Sequence, residues 1–89
     1  MRTQFTKSFS KDLRKHRKNP QLLMQIQRII EAVEQSEIVS DITNLKQLKT
    51  GDKYYRIRTG DYRIGITIED ELVTFVRVLH RKEIYRFFP

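Results

Sequence analysis

Arginines gather where the sequence alternates as a β-strand does. Alternation places Tyr54, Arg56 and Arg58 on one face of a strand, and residues 59–61 (Thr-Gly-Asp) predict a tight turn. Arg63 then follows on the adjoining strand, near the same end of the ladder. Planar guanidiniums bind phosphate bidentately and stay charged at any working pH, so three of them on one surface are suited to holding a nucleic-acid backbone or stabilising a phosphorane. The alternative is a solvated sheet face whose arginines cover apolar surface.

The end of the chain carries groups that can move protons. If the last strand lies beside the arginine hairpin, His80, Arg81 and Tyr85 reach the same surface. Cleavage of RNA through its own 2′-OH needs a proton acceptor, a proton donor for the departing 5′-oxygen and cations, and these residues supply all three. His80 is also open to a structural role. Tyr85 either packs in the core, as Phe87 and Phe88 are expected to do, or stacks on a base.

Motifs for other chemistries are missing from the sequence. It contains no GxxxxGK or GxGxxG loop, no HExxH and no cysteine. His16, the only other histidine, is expected on the surface of the first helix, so a histidine-rich metal site is excluded. The acidic residues 69–71 are expected to turn the chain at the other end of the sheet. We therefore predict chemistry without a metal or a cofactor.

Length and charge limit the choice of protein class. With 89 residues, 38% of them hydrophobic, the chain predicts one domain covering residues 1–89. Lysine and arginine number 18 against 11 aspartates and glutamates, so the formal net charge is +7. Such a balance indicates a polyanion or an acidic protein as partner. No apolar run approaches the ~20 residues of a membrane span and no signal peptide opens the chain, so the cytosol is the expected location.

Helical periodicity dominates the first half of the chain. Phe5, Phe9 and Leu13 recur every four residues, which predicts a short strand leading into a helix over residues 7–18. Asn19-Pro20 ends that helix. A second helix follows, with an apolar stripe at Leu22, Leu23, Ile26, Ile29, Ile30 and Val33. The short turn between them predicts an antiparallel helical hairpin.

The second half changes to the period of a strand. Residues 41–49 are ambiguous, because Ile42, Leu45 and Leu48 suit either one helical turn or a loop that places three side chains in the core. Strands are then predicted around residues 54–58, 62–68 and 72–79. The last is apolar on both faces apart from Thr74 and Arg77, so it should lie inside the sheet. The order is β-α-α-β-β-β and the fold class α+β.

Three segments resemble one protein family. They are residues 5–13 (FTKSFSKDL), 55–64 (YRIRTGDYRI) and 80–85 (HRKEIY), and with their spacing they resemble the RelE/ParE superfamily of type II toxins over nearly the whole chain. The resemblance implies a two-helix hairpin packed on a twisted antiparallel sheet, and a cognate antitoxin that neutralises the toxin. RelE-type members cut messenger RNA in the ribosomal A site, whereas ParE-type members inhibit DNA gyrase.

The resemblance also implies roles for particular residues. Arg56, Arg63, Arg81 and Tyr85 match positions of the catalytic face in RelE toxins, which favours the RNA-cleaving branch. Tyr54 stands where the best-known RelE pattern has lysine, so the general-base role of that lysine is not carried over. The spacing from Arg81 to Tyr85 is also shorter than in that pattern, and His80 is expected to compensate as acid or base.

The leading hypothesis is therefore a toxin that cuts A-site messenger RNA on the ribosome without a metal. Its expected catalytic residues are Arg56, Arg63, His80, Arg81 and Tyr85, and its expected RNA-binding residues are Lys11, Arg14, Lys15, Lys18, Lys53, Tyr54 and Arg58. The expected partners are an antitoxin, the ribosome and messenger RNA, with operator DNA bound only through the antitoxin complex and no membrane. Two alternatives remain: a ParE-like gyrase inhibitor, and an inactive module that binds only its antitoxin and DNA.

Overall fold

The fold is α+β, as predicted, and the computed structural model describes all 89 residues. The order of elements is β1 (Arg2–Phe5), α1 (Lys7–Lys15), α2 (Pro20–Gln35), a 3-10 helix (Val39–Asp41), β2 (Leu45–Gln47), β3 (Tyr54–Thr59), β4 (Tyr62–Glu69), β5 (Leu72–His80) and α3 (Ile84–Phe87). Helices α1 and α2 cover one face of the sheet and α3 lies on the other. None of the helices has both the length and the apolar composition that a membrane span requires.

Side-chain caps determine where the two long helices begin. The Thr6 hydroxyl accepts a hydrogen bond from the Phe9 N–H at 3.0 Å, and the Asn19 Oδ1 accepts one from the Leu22 N–H at 3.2 Å. Proline at the first position of α2 has no N–H that would need a partner. Helix α1 ends at Lys15, three residues earlier than predicted, because the chain tightens into i→i−3 hydrogen bonds before Asn19.

The five strands form one sheet in the order β1-β5-β4-β3-β2. Strand β5 has neighbours on both sides, as predicted. The pairs β2–β3, β3–β4 and β4–β5 are all antiparallel. Strand β1 instead runs parallel to β5, so the prediction of an entirely antiparallel sheet is wrong at this edge. The reason is connectivity: β1 leads into the helical hairpin, and no tight turn joins it to its neighbour, so no turn sets its direction.

The ambiguous segment at residues 41–49 contributes to both faces of the sheet. Ile42 is buried in the main core between the helices and the sheet, and Leu45 packs against that core from β2. Leu48 lies on the opposite face, in a second apolar cluster with Ile84 and Phe88. The segment is thus a 3-10 turn and a short edge strand, and only part of it enters the main core.

Helix α3 is held on the outer face of the sheet by Phe88. A Cβ built on Gly65 of β4 would lie 2.7 Å from the Phe88 ring, so glycine is what allows the ring to lie against the strand. Phe88 is 3% exposed, as expected for a core residue, whereas Phe87 is 48% exposed and the prediction that it packs in the core is wrong. In so short a helix, adjacent residues point to different sides, and only one of them faces the sheet.

A buried ion pair joins α1 to β5. The Asp12 carboxylate accepts hydrogen bonds from the Arg77 Nε at 2.8 Å, the Arg77 Nη2 at 3.2 Å and the Val78 N–H at 2.9 Å. The side-chain hydrogen bonding between Arg77 and Asp12 raises the pKa of Arg77. The β4–β5 register shifts between Gly65, which pairs with Arg77, and Ile66, which pairs with Phe75. Such a shift changes the alternation of side chains along β5 next to Arg77.

Candidate functional site

Strands β3 and β4 place the hairpin arginines on the outer face of the sheet. Arg58 lies directly opposite Arg63, and the next pair along, Ile57 and Ile64, is buried under the helices. Since side chains alternate, Arg56, Arg58 and Arg63 emerge on the face away from α1 and α2. This part of the outer face is called the arginine face below.

The pKa of Arg63 reports which charges lie around it. Burial is the largest cause that lowers this pKa. The like charges of Arg56, Arg58 and Arg81 lower it further, while Tyr85 raises it. The positions of the residues agree with these directions: the Arg81 N–H bonds to the turn between β3 and β4, and Tyr85 lines a groove with Lys46, which lies opposite Arg56. A guanidinium remains charged despite such a shift, so the result is a concentrated positive field.

Backbone carbonyls orient two of the arginines. Arg63 donates through Nη1 to the Gly60 oxygen at 2.8 Å and the Tyr62 oxygen at 2.9 Å. Arg56 donates through Nη1 to the Asn44 oxygen at 3.0 Å, while its Nε is buried without a partner. No carboxylate pairs with either guanidinium, so their exposed N–H donors are available to an anionic ligand.

Arg81 is held by the turn between β3 and β4. Its backbone N–H donates to the Asp61 oxygen at 2.7 Å, and its Nε lies 3.9 Å from the Asp61 carboxylate. Tyr85, on α3, is 63% exposed, so its ring and hydroxyl are accessible on the surface. Asp61 was not singled out in the sequence, where it reads only as a turn residue.

Tyr54 lies on the same outer face as Arg56 and Arg58, as predicted, whereas Lys53 precedes the strand. The Tyr54 ring packs edge-on against Phe88 at 5.9 Å between centroids, within the second apolar cluster. Lys53 lies 3.7 Å from the carboxylate of Glu69, at the end of β4 remote from Arg63. The structure therefore keeps Tyr54 on the face of the arginines, with its ring packed against Phe88, and places Lys53 at the opposite end of β4 from Arg63.

His80 lies on the helix side of the sheet, and the prediction that it reaches the arginines is wrong. It pairs with Tyr62 across the β4–β5 ladder, and its ring stands edge-on to Tyr62 at 5.6 Å between centroids. His16 contacts the same tyrosine at 5.1 Å and is half-buried there, although it was expected on the helix surface. The reason is strand alternation: Leu79 pairs with Arg63, so the following residue faces the other way.

A second basic surface lies on the helix layer. It consists of exposed side chains of α1 and the turn after it: Lys11, Arg14, Lys15 and Lys18. Helix α1 packs on β5 from the side opposite the arginine face. The two predicted groups of cationic residues are therefore on different layers of the molecule.

Lys46 extends the arginine face toward the edge of the sheet. It lies opposite Arg56 in the β2–β3 register, and together with Tyr85 it lines a groove beside α3. The sequence carried no clear signal for Lys46, because the strand that positions it was itself ambiguous. No group of three or more histidine, aspartate or glutamate side chains is arranged to hold a metal ion.

Comparison with known proteins reveals close relatives over the full chain. The family model described as the ParE toxin of the type II toxin–antitoxin system parDE matches residues 3–85. The chain is 43% identical to toxin RelE3 of Methanocaldococcus jannaschii, over 100% of both proteins.

Solved structures show the same fold. A crystal structure of the RelB–RelE antitoxin–toxin complex from Methanococcus jannaschii matches with a TM-score of 0.79 and 40% identity, covering 96% of this chain and 98% of that one. The RelBE2 toxin–antitoxin complex of Mycobacterium tuberculosis matches with a TM-score of 0.71 and 26% identity, covering 90% and 96% of the two chains.

Proposed function

The chain belongs to the ParE toxin family of type II toxin–antitoxin systems, within the RelE/ParE superfamily, and we propose that it is the RelE-like kind that cleaves messenger RNA. The cleavage would take place in the ribosomal A site. The observation that carries this proposal is that the β3–β4 register places Arg56, Arg58 and Arg63 on one face, with Arg81 bonded to the turn of the same hairpin. Tyr85 lines a groove with Lys46, which lies opposite Arg56. Such a face has the charge and the donor geometry to bind an RNA phosphate.

The proposed reaction uses the 2′-hydroxyl of the RNA as its nucleophile. The 2′-oxygen forms a bond to the adjacent phosphorus, the bond from phosphorus to the 5′-oxygen breaks, and the products are a 2′,3′-cyclic phosphate and a 5′-hydroxyl. One proton leaves the 2′-oxygen and one is added to the 5′-oxygen. Extra negative charge develops on the phosphorane between these steps, and preorganised cations stabilise it.

The side chains divide these tasks. Arg56 and Arg58 hold the phosphate, and Arg63 and Arg81 stabilise the charge of the phosphorane. Tyr85 donates the proton to the departing 5′-oxygen, and its exposed ring is also available for stacking on a base. Because the His80 imidazole contacts Tyr62 on the other side of the sheet, the 2′-hydroxyl proton passes to water, from an alcohol made more acidic by the guanidiniums.

The basic surface of α1 suits contact with ribosomal RNA. With one cationic group on each layer, the molecule can lie between two segments of RNA, the messenger on the arginine face and ribosomal RNA on α1. A cognate antitoxin is the proposed protein partner, as relatives of known structure are complexes of toxin with antitoxin. The net charge of +7 favours an acidic antitoxin segment, and operator DNA would be bound only through the complex.

The decisive experiment expresses the chain without an antitoxin and maps messenger RNA ends on translating ribosomes. New cuts within A-site codons are expected, and Arg63→Ala and Arg81→Ala should each reduce cleavage by about 10²–10³-fold. Arg2→Ala, at the far edge of the sheet, is the matched control and should cut normally. Normal cleavage by a folded Arg63→Ala protein would contradict the proposal.

Gyrase inhibition is the second candidate, because the matching family model is that of ParE toxins. It predicts accumulation of DNA breaks while translation continues and messages stay intact. The same expression experiment therefore separates the two functions. Growth without arrest, despite folded protein, would instead favour a module that only binds its antitoxin.

A further inference from the structure

The turn between β3 and β4 holds two arginines through three consecutive backbone carbonyls. Arg63 donates through Nη1 to the oxygens of Gly60 at 2.8 Å and Tyr62 at 2.9 Å. Between these two, the Asp61 oxygen accepts the Arg81 backbone N–H at 2.7 Å. Gly60 has a φ of 58°, the left-handed value that a two-residue hairpin turn needs at its first position. One short turn therefore anchors the Arg63 side chain and the Arg81 backbone together.

The Asp61 side chain adds a contact that the turn itself does not require. Its carboxylate lies 3.9 Å from the Arg81 Nε and is 72% exposed, and Arg81 is the one cationic side chain within ion-pair distance of it. Nε is the guanidinium nitrogen nearest the backbone, so an ion pair there leaves both Nη nitrogens to donate in parallel to a phosphate. Asp61 can therefore orient Arg81 without occupying the donors that bind a ligand.

Two observations indicate that this carboxylate does more than form the turn. Asparagine suits such a turn as well as aspartate does, so the turn requires no charge, and a carboxylate beside phosphate-binding cations weakens the binding of RNA by repulsion. The two arginines also repel each other: after burial, the like charges of neighbouring arginines, Arg81 among them, lower the pKa of Arg63. A negative charge beside Arg81 opposes that repulsion and keeps the second guanidinium near the first.

We propose that Asp61 is a positioning residue that holds the Arg81 guanidinium beside Arg63 for cleavage. The inference rests on the proposed function, and in it Asp61 acts only through Arg81 and makes no contact with the RNA. Without the Asp61 charge, Arg81 is still present but free to move away from the phosphorane, and a misplacement of about 1 Å in such a group lowers the rate steeply. The same change removes a repulsive charge, so RNA should bind at least as tightly as before.

Asp61→Asn tests the proposal, because it keeps a residue suited to the turn and removes only the charge. Single-turnover cleavage of messenger RNA on programmed ribosomes gives the rate at saturating protein and the protein concentration at half of that rate. The saturating rate should fall about tenfold, whereas the half-saturating concentration should stay the same or decrease. Asp70→Asn is the matched control, since it makes the same change of charge in the turn at the other end of β4, and both values should stay at those of the parent.

A double-mutant cycle shows whether Asp61 acts through Arg81. In the Arg81→Ala background the guanidinium is gone, so adding Asp61→Asn should lower the rate by less than about twofold more. Asp61→Glu keeps the carboxylate, and its saturating rate should stay within about threefold of the parent. Urea unfolding of each variant reports whether it is folded, and a purely structural role of Asp61 would lower the rate equally in both backgrounds.

Two outcomes would overturn the inference alone. One is a folded Asp61→Asn protein with the saturating rate of the parent, and the other is an equal loss of rate in the presence and absence of Arg81. Both leave the proposed cleavage intact if the parent cuts A-site codons and Arg63→Ala does not. A parent chain that cuts no messenger RNA would overturn the proposed function and this inference with it.

Discussion

At the scale of single residues, what matters is the side of the sheet from which a side chain emerges. Arg63 and His80 belong to paired strands, yet the first faces away from the helices and the second contacts Tyr62 beneath them. His80 also accepts a hydrogen bond through Nδ1 from the Lys82 N–H at 3.2 Å, within the turn that follows Arg81. These contacts favour a structural role for the imidazole.

His80→Asn tests that role directly. The asparagine oxygen can replace Nδ1 as the acceptor for Lys82, so single-turnover cleavage of messenger RNA on programmed ribosomes should stay within about threefold of the parent. Tyr85→Phe, which removes only the hydroxyl of the proposed proton donor, should lower the same rate by about 10²–10⁴-fold. A loss of that size in folded His80→Asn would show that the imidazole acts in the reaction.

At the scale of elements, α1 and β5 depend on Asp12. This carboxylate is 3% exposed and serves both Arg77 and the Val78 N–H. Asp12→Ala should lower the free energy of unfolding by about 3 kcal/mol, because it leaves a largely buried guanidinium unpaired. Asp61→Ala removes a carboxylate that is 72% exposed and 3.9 Å from Arg81, and should change stability by less than about 1 kcal/mol. Urea unfolding measures both values.

The pH dependence of this pair follows from the direction of its shift. The pKa of Arg77 is raised in the folded state, so its contribution to stability is complete below the unfolded value and is lost only as pH rises through the folded value. Both values lie in strongly alkaline solution. The stability difference between the parent and Asp12→Ala should therefore be the same at pH 6 and pH 9, and a difference that shrinks by pH 9 would contradict this assignment.

Helix α3 depends on the absence of a side chain at Gly65. A methyl group there meets the Phe88 ring at 2.7 Å, so Gly65→Ala should displace α3, destabilise the protein by about 1–3 kcal/mol and move Tyr85 away from the arginines. Combining it with Phe88→Leu should cost less than the sum of the two changes, because the smaller side chain makes room. If the changes in the free energy of unfolding caused by the two substitutions simply add, the two residues are not coupled.

At the scale of the whole molecule, two cationic surfaces lie on opposite layers. Replacing Lys11, Arg14, Lys15 and Lys18 with glutamine should weaken ribosome binding and flatten its dependence on salt, because fewer counterions are released. Ribosome binding that keeps its affinity and its salt slope, measured by sedimentation at several salt concentrations, would remove α1 from the interface.

Much of this molecule follows from local patterns in the sequence. Apolar spacing of 3.6 residues defines α2, and alternation about the 59–61 turn puts Arg56, Arg58 and Arg63 on one face. Both patterns depend on backbone geometry within one element or one hairpin. For the same reason, the RelE/ParE resemblance was visible in short segments, and the α+β class followed from the order of the patterns.

Other features were decided by packing between distant parts of the chain. The parallel direction of β1, the strand at Leu45–Gln47 and the β4–β5 register shift each depend on which neighbour a strand finds in the sheet. The register of β5 in turn places His80 under the helices, and the close approach of Phe88 to Gly65 holds Tyr85 near the arginines. The sequence by itself determined which chemical groups were present and which shared a hairpin. Only tertiary packing decided which of them meet, because register and sidedness are set by the partner strand and the core together.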